Sequence, residues 1–384
     1  KLYPLEPEAL DPLIRSRNFK GLNVTIPYKL SVVPYCDELT PEAASIGCVN
    51  TLKVLDDGRL LGHNTDIYGM CAMLTRAGID ICGRKVLILG SGGTSLTATA
   101  AARQMGAREI VIISRYGQSN YTNLHKHFDA EVIINTTPVG MYPHTGDCPV
   151  ALQLFPHLRG VADVIYNPLR SQLILDAKKY GIPCANGLYM LVAQAKGASE
   201  LFTGRIIDDG IMEDVYISLL RELENLILIG MPGSGKTSVG QELARLLNRQ
   251  FIDTDELIEN TESKTIPQIF KERGEKGFRE LESAAIQSCG MRTGVVIATG
   301  GGAVLREENY YPLKQNGIVI QLGRRFDLLP TSGRPLSQGA DLNQMWKIRR
   351  SRYQRFADSL INNDGMLTDT IHAVMEACYE NIGH

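Results

Sequence analysis

Short apolar runs recur along the chain between longer stretches of amphipathic pattern, and the runs at 85–89, 109–113, 132–134, 160–165, 226–229, 294–298 and 317–321 read as buried strands. Strands alternating with helical stretches predict parallel sheets joined by crossover helices, so the chain is expected to be α/β nearly throughout. The amphipathic stretch 211–223 ends at Glu224 and a new strand begins two residues later, which places a domain boundary there. A second boundary is expected near Gly83, where a loop-rich segment gives way to a dinucleotide-fold pattern. The predicted segments are therefore 1–82, 83–223 and 224–384. No short-period repeat or low-complexity stretch interrupts them.

Gly230-Met231-Pro232-Gly233-Ser234-Gly235-Lys236-Thr237 lies between a predicted strand and a predicted helix over 237–247, and it fits G-x-x-x-x-G-K-[ST]. Glycines here let backbone N–H groups curl around phosphate oxygens at a helix N-terminus. Lys236 adds positive charge and the Thr237 hydroxyl can ligate Mg2+. With Ser238, residues 233–238 form the expected ATP cradle. Downstream come Asp253-Thr254-Asp255 at a predicted strand end, Arg279 in Gly277-Phe278-Arg279-Glu280-Leu281-Glu282, Gly300-Gly301-Gly302, Arg334-Pro335-Leu336, and Arg349 with Tyr353. One carboxylate of the Asp pair can sit in a Mg2+ shell while the other accepts a substrate hydroxyl.

In order and context, these elements resemble shikimate kinase across 225–384. The resemblance implies that Asp255 binds and orients the shikimate hydroxyl that attacks ATP, that Arg279 and Arg349 clamp its carboxylate, and that Gly301 and Gly302 let backbone approach the ring. It also implies that Arg334 reaches over the phosphates from a lid and that Asp253 supports Mg2+ through water.

A second glycine-rich turn, Gly90-Ser91-Gly92-Gly93-Thr94-Ser95, follows the run 85–89 and opens an Ala-rich helix, with Ser95 in place of the usual third glycine. The next strand ends in Ser114-Arg115, where a cation suits a 2′-phosphate, so NADP(H) is favoured over NAD(H). Gln118 and Ser119 add no second cation.

Around this core stand Asn23-Val24-Thr25-Ile26-Pro27-Tyr28-Lys29, Gly47-Cys48-Val49-Asn50-Thr51, Gly62-His63-Asn64-Thr65-Asp66, Asn135-Thr136-Thr137-Pro138-Val139-Gly140-Met141, Tyr166, and a segment from Gly187 to Gln194. Over about 1–220 the set resembles shikimate dehydrogenase. That resemblance implies Lys29 and Asp66 as the proton-handling pair, Thr25, Asn50 and Gln194 on the ring hydroxyls, Tyr166 near the carboxylate, and Gly187 on the cofactor side. His63 reads as a surface-loop histidine and Cys48 as packing. The family opens with a strand and a Ser-x-Ser turn, and Lys1 follows both, so a start further upstream is expected.

Together the resemblances imply a bifunctional enzyme: NADPH reduction of 3-dehydroshikimate to shikimate, then ATP- and Mg2+-dependent phosphorylation of shikimate. A kinase fused to a non-catalytic or quinate-using dehydrogenase-like domain is the alternative. Composition narrows the remaining classes. Forty Lys and Arg against 42 Asp and Glu leave a net charge of −2, with no global basic field for nucleic acid. No apolar run is long enough for a membrane-spanning helix. Eight scattered cysteines without a C-x-x-C pair point to a reducing compartment, hence the cytoplasm.

Overall fold

The computed structural model describes residues 4–328 and 342–381. The chain forms two compact units, Lys1–Asn167 with Ser171–Tyr216, and Pro168–Arg170 with Ile217–His384. The division falls inside the helix Asp209–Leu223, upstream of Glu224.

The first unit contains two sheets. A small mixed sheet runs in the order Gly21–Asn23, Thr51–Val54, Leu60–His63, Glu38–Leu39, with the first two pairings antiparallel and the last parallel. Its apolar side buries Val49, Leu52 and Leu60 against Leu10, Ile14, Val32 and Ala43. The second sheet is parallel, in the order Glu109–Ile113, Lys85–Leu89, Val132–Asn135, Gly160–Asp163, Cys184–Ala185. The chain order is thus 2-1-3-4-5, and the switch point lies between Lys85–Leu89 and Val132–Asn135, where α/β sheets leave a crevice for ligands. The run Lys85–Leu89 is buried at every position because helices cover both faces, which explains why it reads as apolar from Val86 on, while buried Lys85 pairs with Glu109 and Asp129.

The second unit is built on one parallel sheet in the order Phe251–Asp253, Val296–Ala298, Asn225–Ile229, Gly317–Gly323, Ser359–Asn362. Alternate side chains feed two cores. Ile227, Ile229, Ile297 and Val319 pack with Tyr353 and Phe356 on one face, and Leu226, Leu228, Val296, Ile318 and Ile320 pack with Val239, Leu243 and Val374 on the other. The P-loop strand is central, so its loop leaves the sheet where neighbouring strands on both sides can contribute residues.

Every strand expected from the apolar runs is present, with ends shifted by up to two residues: 160–165 shortens to Gly160–Asp163, 294–298 to Val296–Ala298, and 317–321 lengthens to Gly317–Gly323. Cys184–Ala185 and Ser359–Asn362 were not expected. The first is a two-residue edge and the second has only half-buried or exposed positions, so neither carries an apolar run. Among the described residues no helix is long and apolar enough to cross a membrane.

Candidate active sites

In the first unit, the loop from Val24 to Lys29 is fastened at both ends to the segment before Thr51–Val54. The Val24 N–H donates to the Asn50 carbonyl at 2.7 Å, and the Val49 N–H donates to the Lys29 carbonyl at 2.9 Å. This brings Lys29 to the first turn of the helix Asp66–Arg76, and its Nζ donates to Asp66 Oδ2 at 2.7 Å. Asn64 Oδ1 accepts the N–H groups of Asp66 and Ile67 at 3.0 and 3.3 Å, and so pins the carboxylate-bearing turn. The Lys29 side chain is 24% exposed and that of Asp66 is 6% exposed, so the pair opens outward only from the lysine side.

Asn50 is buried beside this pair. Its Nδ2 donates to Thr65 Oγ1 at 3.0 Å and to Gln194 Oε1 at 3.5 Å, and its Oδ1 accepts from the Thr65 N–H at 2.9 Å. Residues far apart in sequence are thus joined: Lys29, Asn50, Thr65, Asp66 and Gln194 form one polar cluster. Thr25 and Tyr166 are exposed and join none of these bonds. His63 does not lie in a surface loop. It ends the strand Leu60–His63, half-buried, with Nδ1 at 2.8 Å from Thr40 Oγ1, and burial holds its pKa below the usual imidazole value. Cys48 is buried in packing.

On the parallel sheet, Gly90 has φ 107°, and a Cβ there would stand 2.8 Å from Thr136 Oγ1, so only glycine fits where the first strand passes the 135–141 segment. Cβ atoms on Gly92 and Gly93 would meet nothing within 4 Å. This open backbone at the start of the helix Gly93–Gln104, with Ser91 exposed and Thr94 following, suits a dinucleotide pyrophosphate. Ser95 takes the place of a third glycine by turning its hydroxyl back onto the Gly92 carbonyl at 2.6 Å, which keeps the turn closed. Ser114 ends the neighbouring strand's turn through a bond from its N–H to the Ser119 carbonyl, and exposed Arg115 lies 5.8 Å from the Tyr116 ring centroid. At Gly187 only glycine fits, because a Cβ there would collide with the Val164 carbonyl oxygen.

In the second unit, Gly230, Gly233 and Gly235 all have positive φ, the P-loop conformation that glycine permits. Lys236 is buried and folds back, its Nζ at 3.0 Å from the carbonyls of Gly230 and Met231. Ser234 is fully buried, and its carbonyl accepts a 2.7 Å bond from Asn363 Nδ2. Thr237 and Ser238 are exposed. Thr237 Oγ1 donates to Asp253 Oδ2 at 2.9 Å, which sets a hydroxyl and a carboxylate together as hard oxygen donors at the loop's mouth and fits Mg2+ bound there with substrate phosphates. Among the described residues no group of three or more His, Cys, Asp or Glu could hold a metal by itself.

Asp253 ends its strand and caps the helix Thr254–Glu262, so Asp255 stands in the helix's first turn, and the two do not share alternate strand positions. Asp255 opens on a cavity of about 280 Å³ whose wall also includes Lys236, Arg279, Gly301, Gly302 and Arg349, with Phe270 and Phe278 on its apolar side. The buried Asp255 Oδ1 has no hydrogen-bond partner among the described residues. Burial, with the nearby charges of Asp253 and Glu282, pushes its pKa up to about 6, against the opposing pull of Lys236 and Arg279.

Arg279 Nη1 donates to fully buried Glu282 at 2.7 Å, and Arg349 Nη1 donates to the Gly301 carbonyl at 2.9 Å. Gly301 and Gly302 line this cavity, and their own packing also demands glycine. A Cβ on Gly302 would fall 2.1 Å from Arg279 Nη1, and one on Gly301 would fall 2.7 Å from Pro232, so they make room for the guanidinium and the P-loop. Arg334 lies outside the described residues.

Because Asp255 has a raised pKa, the folded unit binds more protons than the unfolded chain between about pH 4 and 6, and its stability falls as pH rises through that window. Asp255→Asn removes this liability. We expect the variant to exceed wild type in stability above pH ~6 by on the order of 2–3 kcal/mol, with the difference vanishing near pH 4. Thermal melts of both proteins across that range check it; a gap independent of pH would show that Asp255 is not held with a raised pKa.

Comparison with known proteins gives two family matches. Residues 6–52 match the shikimate dehydrogenase substrate binding domain, and residues 232–380 match shikimate kinase. The shikimate dehydrogenase (NADP+) of Clostridium perfringens strain SM101 is 35% identical over 213 residues, covering 52% of this chain and 78% of that protein. Among solved structures, a chorismate mutase/shikimate 5-dehydrogenase fusion protein from Clostridium acetobutylicum aligns with a TM-score of 0.55 and 32% identity, covering 57% of this chain and 84% of that one. Shikimate 5-dehydrogenase from Thermus thermophilus, solved with NADP(H) and shikimate, aligns with a TM-score of 0.50 and 32% identity over 55% of this chain and 84% of its own.

Proposed function

The chain belongs to the shikimate dehydrogenase family, and from that premise we propose that it is a bifunctional enzyme of aromatic biosynthesis that reduces 3-dehydroshikimate with NADPH and phosphorylates shikimate with ATP. The observation that carries the reading is that one chain holds two polar constellations in separate units: Lys29 against Asp66 beside Asn50 and Gln194, and the P-loop beside Asp255, Arg279 and Arg349.

For the dehydrogenase, Gly90, Ser91, Gly92, Gly93, Thr94 and Ser95 would hold the pyrophosphate of NADP(H), whose nicotinamide would supply or accept the hydride. Lys29 hands a proton to the developing alkoxide or takes one from the hydroxyl, and Asp66 orients the ammonium. Thr25, Asn50 and Gln194 hold the ring hydroxyls, and Tyr166 stands by the carboxylate. Ser114 and Arg115 meet the 2′-phosphate.

For the kinase, Asp255 accepts the proton of the attacking hydroxyl, a role for which a pKa near 6 is matched to neutral pH. Arg279, held by Glu282, and Arg349 clamp the shikimate carboxylate. Thr237 and Asp253 would hold Mg2+, which neutralises charge on the transferring phosphoryl group. The eight cysteines are all free, in keeping with a cytoplasmic enzyme.

Paired steady-state assays on the whole chain test the proposal: NADP+ reduction with shikimate or quinate, and ADP release with shikimate. Both reactions are expected with shikimate, and the absence of either removes that half of the reading. In the same assays Arg115→Asp should raise KM for NADP+ by roughly one to two decades and leave NAD+ little changed, because a cation facing phosphate becomes a repelling charge. Equal losses with both cofactors would withdraw Arg115 from the 2′-phosphate.

A further inference from the structure

The strand Gly317–Gly323 lies beside the P-loop strand in parallel register, with Ile229 opposite Gln321. The segments that leave the two strands therefore emerge side by side. Gly230 passes so close that a Cβ on it would stand 2.5 Å from the Leu322 carbonyl oxygen. Arg324, the first residue after its strand, brings Nη1 to 3.9 Å from the point where a Cβ on Gly235 would be.

Its environment sets Arg324 apart from the other arginines of this unit's site. Arg279 is matched by Glu282 and Arg349 by the Gly301 carbonyl. The next residue, Arg325, pairs with Asp327. Arg324 is half-buried, its Nε is fully buried without a hydrogen-bond partner, and no carboxylate among the described residues pairs with it. A guanidinium held in this way is costly until something supplies acceptor oxygens or negative charge. The P-loop amides next to it seek the same chemistry.

We infer that Arg324 is a nucleotide-binding residue that donates to the phosphate oxygens of ATP and ADP from the strand neighbouring the P-loop. The inference rests on the kinase reading above. It gives the site a cation that approaches the polyphosphate from the face opposite Asp253 and Asp255, which lie on strands and helices to the other side of the P-loop strand in the sheet order.

The test is titration of the whole chain with Mg2+-ADP and, separately, with shikimate, for wild type, Arg324→Gln and Arg324→Lys. Arg324→Gln should weaken ADP by about ten- to a hundredfold while shikimate binding stays within twofold, and Arg324→Lys should fall between. ADP affinity in Arg324→Gln within twofold of wild type overturns the inference. So does loss of ADP and shikimate together in Arg324→Gln with recovery of both in Arg324→Lys, because Arg324 would then be holding the loop and not the nucleotide. Wild type that binds ADP without phosphorylating shikimate would refute the substrate reading alone, leaving Arg324 to be judged by its ADP titrations.

Discussion

Lys236→Met is expected to lower shikimate-dependent ADP release by on the order of 10³-fold while NADP+-dependent oxidation of shikimate continues at the wild-type rate. On the proposed reading the lysine contributes charge where negative charge builds on the transferring phosphoryl group, and in the structure its Nζ donates to the Gly230 and Met231 carbonyls of the same loop. Methionine keeps most of the buried aliphatic volume, so the P-loop loses an ammonium without gaining a cavity. The Gly230 and Met231 carbonyls lose a donor, a modest cost to a unit whose core lies on strands on either side. Because the two constellations lie in separate units, the variant separates the activities, and a shikimate titration of Lys236→Met checks that the second unit has folded. Undiminished ADP release would mean that Lys236 remains folded onto its carbonyls during turnover and that the phosphoryl charge is met elsewhere.

What the sequence made legible follows from how locally each feature is determined. The P-loop and the turn 90–95 are continuous stretches whose glycines adopt positive φ or lie open because the phosphate cradle needs it, and both appear where strand, turn and helix follow one another. The central strands were equally clear, because a strand covered on both faces is apolar over most of its length, here at every position after the partnered Lys85 and Asn225.

Residues that act by proximity were harder to see. Glu282 is an ordinary glutamate in a helical pattern until the fold buries it against Arg279, and Asn363 belongs to an edge strand's exit with no apolar signature, yet it fastens the P-loop at Ser234. Asp163 is similar: a lone acid at a strand end, it is buried with bonds from Asn135, Ser171 and the Ile165 N–H, and burial pushes its pKa up to about 6. No spacing rule points to such residues, because their partners lie 28 or fewer residues away in Asp163's case and 129 in that of Asn363. The packing demand on Gly301 and Gly302 was hidden in the same way, since the space they leave is filled by Pro232 and Arg279 from distant elements.

Lys29→Ala and Asp66→Asn are each expected to lower the dehydrogenase kcat by about 10²–10⁴-fold with little change in NADP+ binding or in the kinase reaction. The geometry favours a proton-handling pair over a surface ion pair. Nζ and Oδ2 are 2.7 Å apart, the acid is almost wholly buried, and the lysine is the member that reaches solvent. Asp66 does not depend on Lys29 for its place. Asn64 fixes its turn through two backbone bonds, and a carboxylate in the first turn of a helix is favoured by the helix dipole, so Lys29→Ala leaves the acid in position. On the proposed reading the lysine moves the proton and the aspartate aims it, so the double variant should be hardly slower than the worse single one. Michaelis curves for the two single variants and the double variant, beside NADP+ titrations, decide the matter. Additive losses in the double variant would show two independent contributions, and an unchanged kcat in Lys29→Ala would reduce the pair to an ion pair that fastens the Val24-to-Lys29 loop to the helix Asp66–Arg76.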